Sequence, residues 1–129
     1  MSIQKSTTPR FEVLVTVIYV PEESKPEQGY HFFGYKVTIK NTGTMAAQLL
    51  NRHWIITDGL GRVEEVKGPG VIGKQPNIQP GTDFTYESAC PLSTSTGSMR
   101  GSYQMKADNG DTFEIEIPEF HMIAPHGLH

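Results

Sequence analysis

The residues best suited to binding chemistry lie in one glycine-rich stretch, Gly68 to Gly73, which reads Gly-Pro-Gly-Val-Ile-Gly. Its spacing matches the G-x-G-x-x-G pattern that holds the pyrophosphate of a dinucleotide. Lys67 and Lys74 flank the stretch and would supply positive charge. A loop of this kind can hold phosphate at the N-terminus of a following helix, or in a concavity of backbone N–H groups that needs no helix.

The dinucleotide interpretation requires a strand before the glycines, a helix after them and an acidic residue about 20 positions on. Pro76 and Pro80 prevent a useful helix after Gly73. Glu87 is the acidic residue nearest the expected spacing, but it falls on or just after an antiparallel strand. We therefore predict that the glycines, Gly70 among them, shape the backbone, and we keep anion binding by backbone N–H groups as the alternative.

Metal binding and catalysis have no comparable pattern. The histidines lack a metal-binding spacing such as a helical HExxH, and they are His31, His53, His121, His126 and His129. No nucleophile sits in a recognisable turn, and no pair of carboxylates is placed by periodicity. Cys90 is the single cysteine, which we interpret as a structural thiol in a reducing compartment. The sequence predicts no enzyme, no metal site and no cofactor.

The elements that must position the glycine stretch are β-strands. Alternating apolar residues, turn residues between them and the absence of a long helical period predict about seven short antiparallel strands. The strands are expected at residues 11–19, 30–42, 52–57, 62–66, 83–88, 99–106 and 112–117. This pattern favours an all-β sandwich. Residues 1–10 are expected to be frayed, and residues 118–129 to form a tail.

Length and composition limit the class of protein. The chain has 129 residues, the size of a single domain spanning 1–129, and its formal net charge is -3. The lack of basic excess argues against sequence-independent nucleic-acid binding. No apolar run approaches a membrane span, and the first residues lack a signal-peptide core. We expect a cytoplasmic protein that binds neither membranes nor nucleic acid.

Arg52 and Trp54 are of residue types enriched in protein interfaces. Phe32 is of interest for another reason, since it falls on the otherwise polar face of its strand. Trp54 and most aromatic residues can equally be explained as core residues. Both interpretations stay open from the sequence.

Several spaced motifs resemble one known family. They are RHWII at 52–56, VKGPGVIGKQP at 66–76, PG at 80–81, FTYES at 84–88 and GSMRGSY at 97–103. Together they are similar to the bacterial ApaG family over nearly the whole chain. The resemblance implies a fibronectin type III-like (immunoglobulin-like) β-sandwich and no established enzymatic activity. It also implies a link, by name and gene neighbourhood only, to diadenosine tetraphosphate hydrolysis and to cobalt and magnesium tolerance.

The same domain occurs in some eukaryotic F-box proteins and in a DNA polymerase delta-interacting protein, where it resembles a protein-recognition module. We therefore predict a non-enzymatic interaction module with an unidentified protein partner and an oligomeric state that the sequence leaves open. The alternative is a sensor that binds nucleotide polyphosphate or pyrophosphate through the glycine loop. The residues predicted to form or shape the site are Arg52, Trp54, Lys67, Gly68, Gly70, Gly73, Lys74, Gln75 and Pro76.

Overall fold

The computed structural model describes residues 3–8 and 10–125, and it is built almost entirely of β-strands. The strands are β1 Ile3–Thr8, β2 Phe11–Tyr19, β3 His31–Asn41, β4 Ala47–Asp58, β5 Val63–Pro69, β6 Asn77–Ile78, β7 Asp83–Leu92, β8 Thr96–Ala107 and β9 Thr112–Ile123. Two 3-10 turns, Pro21–Glu23 and Pro26–Gln28, join β2 to β3. Within the described residues, no helix has the length and apolar character that crossing a membrane requires.

The strands form two sheets. The first sheet has the order β1-β2-β3-β7, and the second has the order β5-β4-β8-β9, with the short β6 also paired to β4. Every strand pair is antiparallel. The prediction of an all-β sandwich is therefore confirmed.

Alternate residues of the central strands point into the space between the sheets. On β2, Phe11, Val13 and Val15 are each 1% exposed, and the residues between them are half-buried. Tyr35 on β3 contacts Trp54 on β4, with ring centroids 5.5 Å apart. Burying one large apolar side chain contributes about 1.5–3 kcal/mol, so this alternating set provides most of the folding free energy. The period-two pattern in the sequence marked the core correctly.

The two ends of the chain differ from the sequence prediction. Residues 3–8, expected to be frayed, form strand β1 and pair with β2 along its length. Ile3 is the only large apolar residue of β1, so backbone pairing and not hydrophobic alternation creates this strand. Pro9 lies outside the described residues.

The predicted tail that begins at Pro118 is also wrong as far as Ile123, because β9 continues to that residue. Proline is tolerated there because β9 is an edge strand, where one missing N–H breaks no central ladder. Phe120 and Met122 are buried, which anchors the last part of the strand. Residues 126–129 lie outside the described part of the chain.

The two sides of the sandwich are different. On one side β9 packs against β1 and β2. On the other side the edges are β5 in the second sheet and β7 in the first, and within the described residues each pairs with a single neighbour. A cleft of about 540 Å³ lies between these two edge strands.

Candidate functional site

The glycine-rich stretch ends in a tight turn at one end of this cleft. The Val71 N–H donates to the Lys74 carbonyl at 2.8 Å, and the Lys74 N–H donates back to the Val71 carbonyl at 2.9 Å. Between them, Ile72 and Gly73 have φ of 44° and 78°. Two successive positive φ values are typical of a type I′ turn. We call residues 71–74 the apical turn.

Gly70 allows the chain to enter the apical turn. Its φ is 63°, and a Cβ added there would lie 2.2 Å from the carbonyl oxygen of Lys74. No side chain fits at that distance, because the obstacle is backbone. Gly70 is therefore required for the shape of the turn.

A β-bulge in β4 anchors the turn. The pairing of β4 with β8 shifts register between Leu49 and Asn51, which leaves Leu50 as the extra residue. The Leu50 carbonyl accepts the Gly70 N–H at 2.8 Å and the Gln75 Nε2 at 2.9 Å. One bulged residue thus holds both ends of the segment that carries the apical turn.

Arg52 braces the same segment from the inside of the cleft. One of its guanidinium nitrogens, Nη1, donates to the Pro69 carbonyl at 2.9 Å and to the Gly70 carbonyl at 3.0 Å. The guanidinium crosses directly over Gly68, where an added Cβ would meet it at about 3.0–3.1 Å. Among the described residues, no aspartate or glutamate forms an ion pair with Arg52. Its charge is therefore left without an acidic partner at the cleft.

The cleft has walls from both sheets. Strands β4 and β5 form one wall, strands β3 and β7 form the other, and the apical turn borders one end. The side chains that line the cleft include Tyr35, Arg52, Trp54, Glu64, Val66, Ile72, Ser88 and Cys90. The cleft therefore combines an aromatic floor, the Arg52 cation, the Glu64 carboxylate, the Cys90 thiol and hydroxyl groups.

Buried tyrosines join the two sheets near the cleft. The hydroxyl groups of Tyr86 on β7 and Tyr103 on β8 share a hydrogen bond. Burial raises the pKa of both groups far above the ordinary range, because desolvation penalises the phenolate. Burial also raises the pKa of Tyr35, against the opposing effects of Ser88 and Arg52. All three phenols are therefore neutral at physiological pH.

Cys90 faces the same cleft as a protonated thiol. It is 6% exposed, and burial raises its pKa to about 11, with a smaller contribution from Glu64. Because the thiolate is the nucleophile, this environment opposes reactivity at neutral pH. It favours the interpretation of Cys90 as a structural residue.

Most of the predicted site residues come together. Gly68, Gly70, Gly73, Lys74, Gln75 and Pro76 form or anchor the segment that Arg52 braces. Lys67 lies apart from this segment. Its backbone is opposite His53 in the β4–β5 ladder, and it lines a groove with Ser102, Gln104 and Glu114 on the outer face of the second sheet. Trp54 is 3% exposed and contacts Tyr35 and Phe120, so it is a core residue and not a surface contact.

Sequence reasoning missed the opposite wall of the cleft. Tyr35, Ser88 and Cys90 come from β3 and β7, which pair with each other and face β4 only across the sandwich. No local spacing connects them to Arg52. The exposure of Ile72 was also missed. The sequence shows an aliphatic residue in a turn, but it does not show the backbone φ that exposes the side chain.

The glycine stretch lacks the features of a dinucleotide site. Within the described residues no helix follows Gly73, and the next regular element is β6. The N–H groups of Gly70, Val71 and Lys74 already donate to backbone carbonyls, which leaves few donors for a phosphate nest. The structural interpretation of the glycines therefore accounts for their spacing.

We accordingly expect no saturable amide shifts at residues 67 to 75 on titration with ATP, diadenosine tetraphosphate or pyrophosphate. Two-dimensional NMR at near-physiological salt measures this directly, with sodium chloride of equal ionic strength as the control. Saturable shifts confined to these residues would contradict the expectation and support the phosphate-sensor alternative.

A metal site receives no support from the described part of the chain. There, no group of three or more histidine, cysteine, aspartate or glutamate side chains is placed to hold an ion. The Nε2 of His53 lies 2.9 Å from a Glu65 oxygen, which gives this histidine a partner of its own. His126 and His129 lie outside the described residues.

Comparison with known proteins identifies the family. A model of the ApaG domain matches residues 21–107, which include the apical turn and the whole cleft lining. The chain belongs to the ApaG family. A Bdellovibrio bacteriovorus relative named Protein ApaG is 58% identical over 127 residues, which are 98% of this chain and 100% of the relative.

Other ApaG relatives extend the match to solved structures. A Pseudomonas putida Protein ApaG is 48% identical over 123 residues, covering 94% of this chain and 98% of the relative. A crystal structure of a Bordetella pertussis protein described as ApaA is 51% identical, with a TM-score of 0.87 over 90% of this chain and 94% of that one. The ApaG assignment and the two-sheet fold therefore rest on nearly full-length similarity.

Proposed function

We propose that this ApaG domain is a non-enzymatic interaction module that binds a protein partner with the apical turn and the mouth of the cleft. One observation carries the proposal: Ile72 is held at a φ of 44° and is 54% exposed. A β-branched residue in the left-handed region is a genuine outlier, and such strain costs about 1–3 kcal/mol. Glycine or asparagine would form the same turn without that cost. The exposed isoleucine side chain is therefore the feature that a partner would use.

The titratable groups of the cleft support a binding role over catalysis. A general acid or base works best with a pKa near the operating pH. Burial instead moves the pKa values of Tyr35, Tyr86 and Cys90 upward, away from neutrality. These groups are suited to hydrogen bonding in their neutral forms.

The association of the family with cobalt and magnesium tolerance fits this proposal through the partner. In this view the chain holds no ion itself and changes metal tolerance by binding a protein that does. Loss of the partner contact would then change tolerance without changing metal binding by the purified domain.

Replacing Ile72 with glycine should separate stability from function. We expect Ile72→Gly to raise the free energy of unfolding by about 1 kcal/mol, because the left-handed strain is removed. Urea unfolding measures the change. Leu60→Ala is the matched control, since Leu60 is a 73% exposed aliphatic residue in another turn. A stability loss in Ile72→Gly as large as the expected gain would show that the isoleucine serves the fold.

The partner contact itself can be tested with a photocrosslinking amino acid at position 74, which leaves Ile72 in place. In Pseudomonas putida cells we expect a discrete adduct that is absent when the crosslinker is at position 60. Ile72→Gly should reduce the adduct at least several-fold. Identical adducts from both positions, or an adduct insensitive to Ile72→Gly, would contradict the proposal. Gly70→Arg is unsuitable as a surface variant, because any side chain there collides with the Lys74 carbonyl.

A further inference from the structure

The free edge of β5 has the features of a strand-binding site. β5 is the last strand of its sheet and pairs only with β4 within the described residues. The opposite side of the sandwich differs, since β9 packs there against β1 and β2. An unpaired edge presents a row of N–H and C=O groups that an additional strand can use.

The hydrogen bonds at the two ends of the β4–β5 ladder show which backbone N–H and C=O groups of β5 have no partner on β4. At one end of the β4–β5 hairpin the Asp58 N–H donates to the Arg62 carbonyl, and beyond the other end the Gly70 N–H donates to the Leu50 carbonyl. Even-numbered positions therefore bond to β4. The N–H and C=O groups of Val63, Glu65 and Lys67 consequently point to the free edge.

The β7 edge across the cleft is less suitable. Pro91 has no N–H, and it lies on β7 where that strand borders the cleft. Proline at an edge position is one of the ways in which proteins block strand addition. Pro69 is also an edge proline, but it is the last residue of β5 and does not line the cleft. The N–H groups of Val63, Glu65 and Lys67 therefore stay available, and strand addition is favoured on β5.

The cleft beside this edge indicates which side chains the added strand would carry. Along β5, Glu64, Val66 and Gly68 lie on the inward face at every second position, and Glu64 and Val66 line the cleft. Val66 lies across from Trp54 and offers an apolar contact. At Gly68 the missing side chain leaves the Arg52 guanidinium uncovered, with no acidic partner among the described residues.

We propose that β5 accepts an extended segment of a protein partner as an additional strand, with an aspartate or glutamate of that segment on Arg52 and an apolar residue two positions away over Val66. This inference rests on the proposed function and specifies the partner chemistry. Main-chain hydrogen bonds supply the affinity in this binding mode, and pockets for alternate side chains supply the specificity. The carboxylate requirement follows from charge complementarity with Arg52.

The test uses linear peptides selected from a random display library on the immobilised full chain and then synthesised. We expect the selected peptides to share an acidic residue two positions from an aliphatic or aromatic one. On binding, amide hydrogen exchange at Val63, Glu65 and Lys67 should slow at least tenfold. Exchange at Glu64, Val66 and Gly68 should change little, because these amides already bond to β4.

Changes to the peptide provide matched controls without altering the protein. N-methylation of the peptide residues whose N–H groups face β5 should weaken binding at least tenfold. N-methylation of the residues between them, whose N–H groups face away from β5, should leave binding unchanged. Replacing the peptide aspartate with asparagine, or glutamate with glutamine, should weaken it several-fold. A library that yields no binders, or binders without the three protected amides, would overturn the inference.

Three further outcomes are diagnostic. Dimerisation of the chain through β5, seen by light scattering and abolished by Lys67→Pro, would overturn the inference by making a second copy the occupant. Adducts that depend on Ile72, together with peptides that leave the β5 amides unprotected, would overturn strand addition and leave the proposed function standing. No adduct from position 74, or an adduct that Ile72→Gly leaves unchanged, would instead refute the proposed function.

Discussion

Raising the pH from about 9 to about 11 is expected to unfold this domain cooperatively. Tyr35, Tyr86, Tyr103 and Cys90 all have pKa values raised by burial in the folded state. The unfolded chain therefore releases these protons at lower pH than the folded chain does. The free energy of unfolding is fully retained below the unfolded pKa values, near 9 for the thiol and 10 for the phenols, and decreases as the pH rises above them.

The expected loss is large. Each such group lowers the free energy of unfolding by about 1.4 kcal/mol per pH unit between its unfolded and folded pKa values. Above about pH 10 the phenols of Tyr86 and Tyr103, whose pKa values burial raises most, act together and give about 3 kcal/mol per pH unit, a large part of the stability of a small domain. Tyr35 and Cys90 add to this loss. Circular dichroism and tyrosinate absorbance, followed in the same titration, should change together.

The Tyr86–Tyr103 pair supplies the control for this prediction. Tyr103→Phe alone leaves the Tyr86 hydroxyl buried without its partner and should cost about 1–3 kcal/mol at neutral pH. The double variant Tyr86→Phe/Tyr103→Phe removes both groups, so its neutral-pH stability should be near that of the parent. The decrease of its stability with rising pH should be clearly shallower, because two of the titrating groups have been removed. An unchanged slope in the double variant would refute the assignment of these tyrosines.

Gly101→Ala is expected to prevent normal folding of the second sheet. An added Cβ at Gly101 would lie 2.0 Å from the His53 carbonyl oxygen and 3.2 Å from the Cα of Trp54. Both obstacles are backbone atoms of β4, where it pairs with β8. Because neither strand can move without breaking the ladder, we expect a loss of about 3 kcal/mol or more. The urea midpoint and the yield of soluble protein measure it.

Gly34→Ala is the matched strand control. Gly34 lies on β3, and an added Cβ would be 3.5 Å from Ile18 Cγ1, which is ordinary contact. We expect a change within about 1 kcal/mol, in the stabilising direction, since alanine reduces the entropy of the unfolded chain. Equal unfolding midpoints for Gly101→Ala and Gly34→Ala would show that the β4–β8 spacing is not limiting.

Much of the fold could be predicted because strand alternation is a local signal. The apolar residues of β2, β3 and the first part of β9 recur at every second position and are buried. Strand β1 could not be found this way, since its pairing with β2 depends on backbone groups that every residue carries. The continuation of β9 past Pro118 could not be predicted either, because the sequence does not show that β9 is an edge strand, where proline is tolerated.

The features of the candidate site likewise fall into those that nearby residues determine and those that tertiary packing determines. The turn-forming role of the glycines follows from their chemistry and from Pro76 and Pro80, which exclude a helix. That Gly70 must avoid the Lys74 carbonyl, and that Arg52 crosses Gly68, are facts of packing. The sequence likewise suggested Trp54 and Lys67 as site residues, but burial removes one from the surface and strand alternation turns the other to the outer face.

By itself the sequence determined the all-β class, the inward faces of the main strands and the turn in the glycine-rich stretch, because each depends on residues close together in the chain. Only the tertiary structure decided that β5 and β7 stand as two free edges with a cleft between them. These strands belong to different sheets and pair with different neighbours. The left-handed φ of Ile72 was decided there too, because the Leu50 bulge, Gly70 and Gln75 together impose the turn against that residue's own preference.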